Sequence, residues 1–165
     1  MLQIAALAAT LMAVQPSAPP TAVPHVRTSS AYLSRLIELA RAESPTFFAM
    51  LVAIDTSDMI VYFEAVPQLD SRLRGCVHFM GAAGGYRYVR AQIRTAMTSH
   101  EVISSLAHEL QHAIEIAAHP EVRSELDLAE LYRRIGDEHQ WRMFETVTAQ
   151  QAGRTVRNEM LGLDD

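Results

Sequence analysis

The sequence predicts an α+β fold: N-terminal helices, a small three-stranded, mainly antiparallel sheet, then an active-site helix and C-terminal helices. Three observations carry this. Apolar residues recur at helical spacing over residues 30–43. Three stretches between residues 59 and 94 are β-branched, aromatic or alternating. Capped amphipathic segments fill the chain from residue 98 onward.

The chain has 165 residues, enough for one domain with a buried core. With 49% apolar and 20% charged residues, it has the composition of a folded chain. The net charge of -5 leaves no basic surplus and argues against nucleic acid as a partner. Cys76 is the only cysteine, which excludes an internal disulfide and a zinc site built mainly from thiolates.

Residues 4–14 form a small-apolar run, shorter than the roughly 20 residues a membrane span needs. Pro, Ser and Ala dominate residues 15–24. The pair resembles the hydrophobic region and cleavage zone of an export signal. Residues 1–27 are therefore read as signal peptide and linker, and 28–165 as the domain. The expected location is periplasmic or secreted, with no stable membrane span. A disordered apolar tail is the other reading, since no basic residue precedes the run and no Ala-x-Ala site follows it.

A first helix is expected over residues 30–43, with Leu33, Leu36, Ile37 and Ala40 on one face. Ser44-Pro45 pairs an N-cap with Pro at the first helical position, so residues 46–54 read as a second short helix. Strands are expected at 59–66, 73–80 and 86–94. The Gly-rich segment 81–85 joins the last two as a hairpin loop. No Gly-Lys-Ser/Thr follows it, so it is not a phosphate loop. Thr98 opens the next helix, with Glu101 completing a capping box. That helix should run to about residue 118, before Pro120. Two more follow, at 124–135 and 138–161, the latter capped by Asp137.

The helix opened by Thr98 carries His108-Glu109-Leu110-Gln111-His112. Histidines four apart lie on one helical face, about one turn from each other. Both can reach a single Zn²⁺ at roughly 2.0–2.1 Å. Glu109 sits one step round the helix, beside such an ion, where it can take a proton from the attacking water and pass it to a leaving amine. The competing reading is a histidine-rich surface helix with a solvated Glu.

His-Glu-x-x-His on a helix that follows a sheet resembles the zincin metallopeptidases. As an architecture the likeness covers residues 30–162; its specific part is the five-residue motif plus a downstream Glu. The metzincin branch would place Gly at position 115 and a ligand at 118, where this chain has Glu115 and Ala118. The gluzincin branch takes its third ligand from a Glu on a later helix and is the better match, particularly among small bacterial single-domain members. Peptide deformylases also use this motif with an upstream Gly-Cys, which Gly75-Cys76 resembles; that reaction would need Cys76 on the metal.

Glu145 is the expected third ligand. In the 138–161 segment Trp141, Ala149, Ala152, Val156 and Met160 form a stripe into which Glu145 falls. A buried lone carboxylate needs a partner, which Zn²⁺ or an Arg such as Arg142 would supply. Small Ala149 and Ala152 would let this helix approach the histidines. Glu115, seven residues beyond His108, is expected to be solvated or hydrogen-bonded rather than a ligand. Tyr132 and His139 are both open as oxyanion stabilisers. The other histidines read as surface or structural.

The resemblance implies zinc-dependent peptide-bond hydrolysis with a peptide or protein substrate: His108, His112 and Glu145 as ligands, Glu109 as general base. Its rival is a non-enzymatic zinc- or partner-binding protein of the same fold. In zincins an edge strand commonly pairs with an extended substrate, and residues 73–80 are the candidate edge, with 86–94 inside.

Overall fold

Local capping sets the helices. The computed structural model describes residues 23–70, 73–136 and 145–163. A short strand β1 (Val26–Thr28) leads into helix α1 (Ala31–Glu43), whose N-cap Ser30 accepts from the Leu33 amide. Ser44 caps α2 (Pro45–Asp55) through the Phe47 amide, with Pro45 in the first turn. Strands β2 (Met59–Val66), β3 (Gly75–Ala83) and β4 (Tyr86–Arg94) follow. Helix α3 (Ser99–Ala117) opens on the full Thr98/Glu101 capping box. Helices α4 (Glu125–Ile135) and α5 (Val147–Leu161) complete the order.

The α+β class holds, but the sheet differs from the one expected. It has four strands in the order β1-β2-β4-β3 and is mixed. β1 pairs with β2 and β2 with β4 in parallel; only β3 and β4 are antiparallel. The physical reason is the apolar content of the strands. Val89, Ala91 and Ile93 of β4 are fully buried, so β4 belongs inside the sheet. β3 carries Gly75, Gly81 and Ala82 and suits an edge. The hairpin turn narrows to Gly84-Gly85, both at positive φ (59° and 84°), the pattern of a two-residue type I′ turn. β1 lies where a linker was expected: its three residues are a strand because they pair with Val61, Tyr62 and Phe63, which no local signal announces. The export signal proposed for the N-terminus falls on residues 1–22, outside the described residues. No helix among the described residues is long and apolar enough to cross a membrane.

The final helix is the second correction. It begins at Val147 with Thr146 as N-cap, not at residue 138. The Thr146 hydroxyl takes the Ala149 amide, and the β-branched run Thr146-Val147-Thr148 is a poor helix interior. Residues 137–144, including Asp137, Glu138, His139, Trp141 and Arg142, lie outside the described residues.

Helix α3 buries Val102, Ile103, Leu106, Leu110 and Ala113 in one core with Val61, Phe63, Val89 and Ile93 of the sheet and with α1 and α2. Its C-terminal end is held by Arg87 of β4, which is 1% exposed. The guanidinium donates to the carbonyls of Ile116 (3.0 Å), Ala117 (3.2 Å), His119 (2.7 Å) and Val122 (3.3 Å). It also forms a two-point pair with Asp58, at 2.8 and 2.7 Å. A cation at a helix C-terminus meets the negative end of the dipole and the unpaired carbonyls together.

The Arg87 hydrogen bond and charge hold the Asp58 carboxyl below its ordinary value. A depressed folded pKa means the stabilisation is present above the unfolded value and lost as pH falls through the folded one. Asp58→Asn should lower stability by about 1–2 kcal/mol near neutral pH, the low end because the Asp58 side chain is 38% exposed. Urea unfolding as a function of pH checks this: the gap between wild type and Asp58→Asn should close as pH falls below the ordinary carboxylate range.

Candidate metal centre

His108, Glu109 and His112 occupy the third and fourth turns of α3, with His112 and Glu109 buried and His108 partly so. The Nε2 atoms of His108 and His112 face each other at 3.1 Å. The rings cross nearly edge to face, 4.8 Å apart. Glu145 Oε1 lies 3.5 Å from His108 Nε2. So the structure brings Glu145 to the histidines, but from the segment just before Thr146 and not from a helical stripe.

The close approach of α5 to α3 is made by Gly153 rather than by Ala152. A Cβ at Gly153 would meet the Ser104 carbonyl at 3.0 Å and the His108 Cβ at 3.5 Å. The Ser104 hydroxyl donates to the Gly153 carbonyl at 2.8 Å and fixes that contact.

Glu109 packs against β3 at Gly75, where a Cβ would fall 2.8 Å from the Glu109 Cδ. None of the hydrogen bonds among the described residues ends on its carboxylate. Burial pushes its pKa up, and the neighbouring His112 and His108 pull against that. Burial also acts to lower the His108 pKa, but the Glu145 hydrogen bond and the charges of Glu109, Glu145 and Glu115 raise it. Glu145 is held low: its own burial is outweighed by His108.

Behind His112, a second group of side chains faces the other ring nitrogen. His112 Nδ1 lies 3.0 Å from Glu115 Oε2 and 3.0 Å from the Tyr132 hydroxyl. The Tyr132 hydroxyl also donates to the His112 carbonyl at 3.3 Å and to Glu115 at 3.3 Å. Glu115 is therefore hydrogen-bonded, as expected, and is on the wrong side of the ring to share an ion with the Nε2 pair. Tyr132 is likewise turned to the back of His112, so of the two oxyanion candidates it is not placed for that role. A carboxylate facing Nδ1 makes that atom the donor and leaves the Nε2 lone pair pointing at His108.

The donor types suit a zinc ion, and two of their separations are near those one ion would need. Ligands about 2.0–2.1 Å from a tetrahedral ion are about 3.3 Å from each other, close to the 3.1 and 3.5 Å separations here. Among the described residues no group of three or more His, Cys, Asp or Glu side chains is placed to hold one ion.

Cys76 is elsewhere: its sulfur rests 3.5 Å from His78 Nε2 and 3.6 Å from Gln92 Oε1, not against His108 or His112. Of the remaining described histidines, His78 pairs with Glu125 and is near enough to act on Glu109, His119 pairs with Glu121, His25 Nδ1 lies at the Ile54 carbonyl, and His100 is exposed in the first turn of α3. Sequence reading missed Gly75, which carries no signal of its neighbour, and the orienting partners of His112. The spacing of Glu115 three residues beyond His112 was the available clue. Compared with known protein families, curated proteins and solved structures, the chain matches none.

Gly75 has ordinary backbone angles, so Gly75→Ala tests the Glu109 contact alone. It should lower stability by about 1–3 kcal/mol and by clearly less in a Glu109→Ala background. A double-mutant cycle by chemical denaturation measures the coupling; equal costs in both backgrounds would show that the two residues do not interact.

Proposed function

We propose that the chain is a zinc-dependent peptidase of the gluzincin type, with a zincin-like arrangement of sheet and active-site helix. The observation that carries this is the 3.1 Å approach of two Nε2 atoms, one held from behind by a carboxylate and the other beside Glu145. His108, His112 and Glu145 would hold the ion. When bound, zinc would polarise the scissile carbonyl and acidify the attacking water. Glu109 follows His108 directly, lies three residues before His112 and has no protein hydrogen-bond donor among the described residues, which suits a group that must receive a proton and pass it on. The close packing of Gly75 limits where its carboxylate can point.

The sheet supports a peptide substrate. β3 is an edge strand. The Arg94 amide bonds the Arg74 carbonyl, so even-numbered residues of β3 face β4 and Gly75, Val77 and Phe79 face outward. The outward Phe79 amide is taken by Glu125 Oε2 at 2.8 Å. The main-chain groups of Gly75 and Val77, next to Glu109, are where an extended peptide would add as a strand. The N-terminal sequence supports export to the periplasm or medium as part of the same reading.

The full chain should bind one Zn²⁺ and cleave members of an unstructured peptide library. Glu109→Gln should keep zinc and lose roughly 10²–10⁴ in turnover. Glu145→Ala should lose zinc affinity while Glu138→Ala keeps it. Zinc content and cleavage are measured on the same preparations. Zinc binding with no cleavage of any peptide would favour the non-enzymatic binding protein. Unchanged turnover in Glu109→Gln would remove that residue from the chemistry.

A further inference from the structure

The two carboxylate oxygens of Glu115 serve different donors. Oε2 takes His112 Nδ1. Oε1 accepts from the Thr146 hydroxyl at 2.7 Å and the Thr148 hydroxyl at 2.5 Å. Thr146 is the residue next to Glu145 and the N-cap of α5. One buried carboxylate therefore touches both the ring of one candidate ligand and the turn that carries another. We propose that Glu115 is the positioning residue of the metal centre, fixing the Nδ1–H tautomer of His112 and docking the turn that presents Glu145. The proposal rests on the zinc reading above.

The physical argument has two halves. A neutral imidazole offers a metal only the nitrogen without a proton. In an unconstrained histidine neither nitrogen is committed to that role, so a partner that requires a donor at Nδ1 raises the fraction ready to bind at Nε2. Tyr132 cannot replace Glu115 here: its hydroxyl both accepts and donates, so it dictates no tautomer by itself. The second half concerns the chain. Glu145 is not on a helix, and its backbone has no ladder of its own to hold it. Two hydroxyl donors from positions 146 and 148 converge on one oxygen and set where the turn sits against α3. The Glu145 carboxylate has its own tie, a 3.2 Å hydrogen bond from Gln150 Nε2.

The two halves are separable by experiment on the full chain. Glu115→Ala should weaken zinc binding roughly 10–100-fold in a chelator competition. Glu115→Gln, which keeps one acceptor oxygen and turns the other into a donor, should fall between it and wild type. Thr148→Val is at an exposed position and should fold normally; it should cost roughly 2–10-fold in zinc affinity, one hydrogen bond's effect, and leave His112 unchanged. Imidazole ¹⁵N spectra of the metal-free protein report the tautomer directly. Wild type and Thr148→Val should show His112 protonated at Nδ1, and Glu115→Ala should lose that signature. Zinc affinity at the wild-type level in a folded Glu115→Ala, or a wild-type His112 protonated at Nε2, would overturn the proposal. A wild-type chain that binds no zinc yet shows the Nδ1–H signature would instead overturn the metal reading and leave the orientation of His112 by Glu115 standing.

Discussion

The rotation of α3 about its own axis is set by burial on several sides at once. Val102, Ile103, Leu106, Leu110 and Ala113 face the core, and Ser104 meets Gly153 of α5. A turn of α3 by one residue position, about 100°, would bring Glu109 out of its place at Gly75 and drive polar groups into the core. The two ends are fixed as well, by the Thr98/Glu101 capping box and by the Arg87 guanidinium. Every group at the candidate centre is on this helix or packed against it. The direction of His108, Glu109, His112 and Glu115 thus follows from a packing problem solved mostly by apolar residues.

On that frame the charges are arranged in one sense. Two imidazoles are flanked by the carboxylates of Glu109, Glu115 and Glu145, each buried or largely so. Three carboxyl groups thus crowd two histidines in a largely buried region, where charge is costly unless it is balanced. His108 answers part of this by pairing with Glu145. A divalent cation would answer more of it, which is the electrostatic side of the zinc reading. Glu115 is the exception: its oxygens are already filled by His112, Tyr132, Thr146 and Thr148, so it acts on the geometry of the others.

The placement of β3 ties the sheet to the same centre. Because β4 takes the interior position, β3 is left with an unpaired edge beside Glu109. Open edges invite unwanted pairing. Here Glu125 of α4 covers the Phe79 amide and shortens the free stretch to the part next to the candidate base. The same edge that would be a liability in a purely structural sheet is, in a peptidase, the natural seat for an extended substrate.

Much of this was legible in the chain because it is local. The caps at Ser44 and Thr98 act within four residues and appear where the sequence puts them, while Ser30 and Ser124, read as the first residues of their helices, are the N-caps. The pairing of His108 with His112 follows from helical periodicity alone, and the edge position of β3 was expected from chain order. Local signals could not settle the parallel pairing of β2 with β4 or the strand formed by residues 26–28, since both depend on partners far along the chain. Nor could they place the start of the last helix: Glu145 read as one position of a helical stripe, but Thr146 caps the helix after it. Glu145 reaches His108 through the packing of Gly153 on Ser104 and the clamp at Glu115. Which residues share a helical face follows from a 3.6-residue repeat and can be read along the chain. What stands opposite that face cannot, because Gly75, Arg87, Gly153 and Glu145 act through contacts between elements far apart in sequence.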